Sequence, residues 1–71
     1  MINSDKIRER MKDLHITQRD VAASLMIAPP TVSQKIAGLR PMYLDEAQRL
    51  AELLKIDPVD FGSYFFHNTV A

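Results

Sequence analysis

The chain has 71 residues, 46% of them hydrophobic, with nine basic and nine acidic side chains, two glycines and no cysteine. That length holds a single domain, and a chain so short buries only about 60% of its extended surface, so its core must be efficient. Disulfides and thiolate metal sites are excluded. No apolar run approaches a membrane span and Met1-Ile2-Asn3 opens no signal peptide, so the cytoplasm is the expected setting and no membrane is expected as a partner.

The zero net charge argues against the simplest nucleic-acid footprint, which is basic. The distribution says more than the sum. Residues 1–16 set Lys6, Arg8, Arg10 and Lys12 against Asp5, Glu9 and Asp13, a balance of +1. Residues 17–42 set Arg19, Lys35 and Arg40 against Asp20, a balance of +2. Residues 43–71 set Arg49 and Lys55 against five carboxylates, a balance of −3. A mildly positive face with an acidic back is expected.

In chain order, Asn3 or Ser4 caps a first helix, and Asp5 suits the positive end of its dipole. Ile7, Met11 and Leu14 form its buried stripe, while Arg8, Glu9, Lys12 and Asp13 make a solvated face. His15-Ile16 turns the chain. Thr17 then caps a second helix, with Asp20 three residues on completing a reciprocal capping pair, and Val21, Ala22 and Leu25 fall on one face. Leu25-Met26-Ile27 begins a turn. Pro29 and Pro30 suit the opening of a third helix, where missing N–H groups cost nothing. Val32 and Ile36 supply its inward side and Gly38 stops it. Two crossed short helices with so tight a joint, from Thr17 to Gly38, are a helix-turn-helix.

Leu39-Arg40-Pro41 is a connecting loop from which Arg40 projects, because Pro41 disfavours helical geometry in the residue before it. A fourth helix spans about Leu44 to Lys55, with Leu44, Ala47, Leu50, Ala51 and Leu54 facing inward and Asp45 and Glu46 in its first turn. Asp57 caps a fifth, from Pro58 to about Tyr64, expected to bury Val59 and Phe61. Residues 62–71 form an aromatic tail. Its rings either close the core or form a dimer or partner surface at Tyr64, Phe65 and Phe66, with at least one of the last two in the interface.

Enzymatic signals are missing: there is no nucleophile–base–acid set, Gly-rich phosphate loop or metal-ligand spacing, and His15 has only His67 as a histidine partner. The sequence therefore implies a protein that is not an enzyme, with no cofactor and no metal.

TQRDVAASL, TVSQKIAG and RPMYLDEAQRLAELLKIDP resemble the lambda-repressor-like (Cro/CI, Xre) helix-turn-helix family, over about Ile7 to Asp60. The small size and the FF-containing tail are similar, more narrowly, to Cro-type or antirepressor (modulator of repression) proteins of temperate phages of Gram-positive bacteria. The resemblance implies an all-α, five-helix domain whose third helix lies in the major groove. It places the DNA-binding positions at Thr17, Gln18, Pro29, Pro30, Thr31, Ser33, Gln34, Lys35 and Arg40. Gln34 offers a two-pronged amide suited to adenine, and Thr31 and Ser33 can bond bases or phosphates. Lys35 and Arg40 are expected to neutralise phosphates, and Gln18 to bond the DNA backbone at a helix N-terminus.

Three departures from the family pattern stand out. Pro29 and Pro30 replace donors at the leading recognition positions, leaving only apolar contact there. Met26 stands where a turn glycine is common, so the turn must take another form or accept strain. Met11 and Ile36 replace an arginine–glutamate pair by an apolar contact. The function implied is a sequence-specific transcriptional regulator of phage Cro type in a lytic/lysogenic switch, a homodimer or heterodimer on a double-stranded DNA operator inside a bacterial host. The alternative is an antirepressor that binds the DNA-binding domain of a CI-type repressor.

Overall fold

In the computed structural model, which describes residues 2–66, the order of elements is α1 (Ser4–Asp13), α2 (Gln18–Leu25), α3 (Pro29–Ile36), α4 (Leu44–Leu53) and α5 (Phe61–Phe65). A single 3-10 turn, Pro58–Asp60, leads into α5, and no strand occurs among the described residues. The fold is all-α with five α-helices, as the sequence implies.

Each helix begins where local chemistry permits. Asn3 caps α1 by accepting from the Lys6 N–H at 3.2 Å. At α2, Thr17 Oγ1 accepts from the Asp20 N–H at 3.2 Å while Asp20 Oδ2 accepts from the Thr17 N–H at 2.9 Å, so the reciprocal capping pair forms. α3 has no side-chain cap; Pro29 and Pro30 simply remove two of the donors that would need one. Asp57 caps the 3-10 turn, accepting from the Val59 N–H at 3.0 Å.

The first four helices end alike. His15, Met26, Gly38 and Lys55 all adopt left-handed backbone, with φ of 56°, 58°, 82° and 53°. In each case the following N–H reaches back five residues: Ile16 to Met11 at 2.8 Å, Ile27 to Ala22 at 3.1 Å, Leu39 to Gln34 at 2.9 Å and Ile56 to Ala51 at 2.9 Å. This is the Schellman closure, which normally tucks an apolar residue against the helix it ends. Ile16, Ile27 and Ile56 do pack against the core. Leu39 does not, and is 79% exposed. Met26 thus takes the left-handed geometry that glycine would take more easily, and holds it because Ile27 is anchored beside it.

The core is the meeting of stripes: Ile7 and Met11 from α1, Val21, Ala22 and Leu25 from α2, Val32 and Ile36 from α3, Ala47, Leu50 and Ala51 from α4, then Leu54 and Phe65. α2 lies against both α3 and α4. Arg10 ties α1 to the end of α4, its Nε donating to the Leu54 carbonyl at 2.9 Å and a guanidinium NH2 group to the Lys55 carbonyl at 3.2 Å. Ser4 Oγ donates to the Ile36 carbonyl, joining the start of α1 to the end of α3.

Several expectations require correction. Leu44, assigned to the inward stripe of the fourth helix, is 58% exposed, because as the first residue of α4 it precedes the turn that meets the core. Val59 is exposed, since the 3-10 turn directs it outward, and the fifth α-helix starts later, at Phe61. The fourth helix stops at Leu53. Phe65, assigned to an interface, lies in the core, with Phe61 half-buried against it at a ring-centroid distance of 4.7 Å. α5 is only five residues long, so its inward position falls on Phe65. Phe66 is exposed, and Tyr64 is half-buried under Lys6 Nζ, 4.5 Å from the ring centroid. Residues 67–71 of the aromatic tail lie outside the described residues.

Among the described residues one ion pair is buried. Lys35 Nζ donates to both carboxylate oxygens of Glu46, at 2.6 and 2.8 Å, and Glu46 Oε1 also accepts from the Tyr43 N–H at 2.9 Å. Lys35 is 6% exposed and the Tyr43 ring covers its ammonium, 4.6 Å from the ring centroid. Such a pair breaks badly when halved, because the remaining charge has lost its partner but not its burial.

Two stability predictions follow from this packing. Leu50→Ala, at a fully buried position, is expected to cost about 2–5 kcal/mol in urea unfolding, enough to unfold much of a domain this small. Glu46→Ala is expected to cost about 3–5 kcal/mol by leaving Lys35 unpaired, whereas Lys35→Met with Glu46→Leu together should unfold at a denaturant midpoint equal to or above the native one.

Candidate nucleic-acid interface

α3 is held by one side only. Val32 and Ile36 are buried, while Pro29, Pro30 and Gln34 are exposed and Thr31 and Ser33 half-buried along its outer side. The four-residue rhythm of Val32 and Ile36 sets this division, and the α2–α3 joint, closed by left-handed Met26, sets the angle at which the outer side is offered. Thr17, Gln18 and Arg19, at the start of α2, are exposed too. Arg40 is exposed in the loop after α3, with its backbone N–H on the Gln34 carbonyl at 3.3 Å.

Of the nine expected contact residues, eight therefore keep some or all of their side chain open to solvent, and Lys35 does not. The assignment of Lys35 to phosphate neutralisation is corrected by its geometry: its ammonium is spent on Glu46 inside the α3–α4 junction. The physical reason is position, since Lys35 immediately precedes buried Ile36 and points toward the first turn of α4.

The electrostatics of the face change with that pair. Once Lys35 is matched by Glu46, the exposed charges of residues 17–42 are Arg19, Arg40 and Asp20. α3 itself presents no free cation among the described residues, and its first turn is apolar: Ala28, Pro29 and Pro30 are exposed, and the Thr31 N–H bonds the Ala28 carbonyl at 2.9 Å. The backbone at this helix start therefore has little to donate to an anion. The start of α2 is different, since Gln18 and Arg19 follow a cap made by side chains.

Asp20 is held below the usual carboxylate range, first by the Thr17 backbone N–H and then by the Thr17 hydroxyl. With its folded-state value lowered, its contribution to the cap is present above the ordinary carboxylate range and is lost as pH falls through the folded-state value.

Sequence reasoning missed three members of this region. Tyr43–Glu46 has the i, i+3 spacing of a capping pair, but aromatic Tyr43 hides the signal. Lys35 and Glu46 are eleven residues apart with a loop between them, so no local pattern links them. Leu39 reads as an ordinary closing residue and only the tertiary structure leaves it bare.

An open depression of about 590 Å³ lies on another side of the molecule, lined by Gln48, Ala51, Glu52, Ile56, Pro58 and Phe61. It contains no convergent set of reactive side chains. Among the described residues there is no group of three or more histidines, cysteines or carboxylates able to hold a metal ion, and no helix long and apolar enough to cross a membrane.

A comparison with known families matches residues 7–61, most of the chain, to helix-turn-helix. No curated protein matches the chain. The matched region runs from the first core residue of α1 to the start of α5 and contains the whole α2–α3 unit. With the outward side of α3 and the family match agreeing, the chain belongs to the lambda-repressor-like (Cro/CI-type) helix-turn-helix family of DNA-binding regulators.

Proposed function

We propose that this regulator is of phage Cro type, binding a double-stranded DNA operator sequence-specifically as a dimer within a lytic/lysogenic switch. The observation that carries the reading is the one-sided burial of α3: Val32 and Ile36 fix the helix, and Pro29, Pro30, Thr31, Ser33 and Gln34 lie along the side left open. In this reading Gln34 meets an adenine edge, Thr31 and Ser33 meet bases or phosphates, and the two prolines touch a thymine methyl. Thr17, Gln18 and Arg40 register the domain on the phosphates. Two copies place their α3 helices about 34 Å apart in successive major grooves. Tyr64 and exposed Phe66 supply apolar surface to the contact between copies.

A second reading has its own support. α3 offers no free cation among the described residues, and bare apolar side chains surround it: Met26 is 83% exposed, Leu39 79% and Tyr43 62%. A surface of this kind suits a protein better than a polyanion. The corresponding function is an antirepressor that covers the DNA-binding domain of a CI-type repressor. Co-purification with the repressor encoded beside its gene, with DNA excluded from the complex, would select it.

Under the DNA-binding reading, Gln34→Ala is expected to weaken operator binding by about 1–3 kcal/mol without changing the unfolding midpoint. Arg40→Ala should weaken all sequences alike and reduce the slope of log affinity against log salt by about one. Titration of labelled duplexes at several salt concentrations checks both. Equal affinity for operator and random DNA, or a flat salt response, would remove this function.

A further inference from the structure

We propose that Glu46 is a positioning residue: its carboxylate latches the α3–α4 loop, and through that loop it sets where Arg40 meets a phosphate. This inference rests on the DNA-binding reading for Arg40's role, but not for the latch itself.

The loop is clamped at both ends by one side chain. Lys35, in the last turn of α3, reaches both Glu46 oxygens, and the Tyr43 N–H, at the cap of α4, reaches one of the same two. Between these ends Met42 is half-buried against the core next to Tyr43, while residues 38–41 are exposed. Gly38 turns the chain at a φ of 82°, and the Leu39 and Arg40 N–H groups share the Gln34 carbonyl at 2.9 and 3.3 Å.

The comparison with the other helix ends shows why a latch is needed. After α1, α2 and α4 the closing apolar residue packs on the core and anchors the exit. After α3 that residue is Leu39, which does not pack on the core and is 79% exposed. An exit without its apolar anchor is free to fray, and the bond that holds Arg40's backbone frays with it. The Glu46 carboxylate replaces the missing anchor by electrostatics, inside a site roofed by the Tyr43 ring. Val32 and Ile36 of α3 and Ala47 and Leu50 of α4 are held in the common core with α2, which packs against both helices, so the latch acts on the loop.

The test is a coupling cycle between the pair and Arg40, with amide exchange as a second readout. The parent and the Lys35→Met/Glu46→Leu variant are compared with and without Arg40→Ala, using a short mixed-sequence DNA duplex as probe. Tyr43 loses its acceptor directly, so the informative amides are those of Leu39 and Arg40. They are expected to exchange at least about tenfold faster in the variant, while that of Leu50 stays unchanged. Arg40→Ala is expected to weaken binding several-fold and lower the salt slope by about one in the parent, and to do neither in the variant.

Unchanged exchange at Leu39 and Arg40 would overturn the latch. Faster exchange with the same Arg40 effect in both backgrounds would overturn the positioning role. If the parent fails to bind the mixed-sequence duplex even at low salt, Arg40 makes no general phosphate contact and the positioning role falls, while exchange alone decides the latch and the operator titration decides the DNA-binding reading. If the double variant does not fold, Glu46→Gln keeps an oxygen for the Tyr43 N–H while removing the charge. It should still speed exchange at Leu39 and Arg40. A gain in duplex affinity with a steeper salt slope in Glu46→Gln would mean that Lys35 swings out to phosphate, which would also overturn the proposal.

Discussion

Burial of a small set of apolar side chains is the constraint on which the rest depends. Ile7, Val21, Ile36, Leu50 and Leu54 are fully enclosed and come from four helices and the residue that closes α4. In a chain of 71 residues no second core can compensate for a fault in this one. Every helix must therefore turn its stripe to the same point, and the outward sides follow as a consequence. α3 offers Gln34 and the twin prolines to solvent because Val32 and Ile36 are needed inside.

Polar groups then settle what burial leaves loose. Arg10 joins α1 to the last carbonyls of α4, and the Thr17–Asp20 pair begins α2 where the joint with α1 requires it. Lys35 and Glu46 form the one buried ion pair among the described residues. A buried pair of this kind is weak evidence for stability, since its attraction is offset by desolvation. Its geometric consequence is clearer: one carboxylate holds an ammonium of α3 and a backbone N–H of α4 at once.

That pair also reshapes the surface proposed for recognition. With its lysine withdrawn, α3 becomes an uncharged helix edged by Met26, Leu39 and Tyr43, with Arg19 and Arg40 at its margins. In the proposed DNA-binding reading, such a surface makes few phosphate contacts, and low non-specific DNA affinity is expected. The same surface explains why a DNA ligand and a protein ligand compete as readings: the fold is common to both, and the side chains on the open face choose.

The sequence by itself determined the helical class, the capping pair at Thr17, the proline start and glycine stop of α3, and the stripes of Ile7, Val21, Val32, Ile36 and Leu50. Each is a local or periodic signal, readable within a few residues. It misplaced Leu44 and Val59, because an apolar residue at a helix start fits the stripe on paper but lies outside the turn that meets the core. It also could not apportion Phe65 and Phe66 between core and surface, since α5 is too short to show a period. Only the tertiary structure decided that Lys35 belongs to Glu46 and not to a phosphate. The reason is physical: the pairing joins two helices across a loop, and nothing along the chain between residues 35 and 46 records how near the loop brings them.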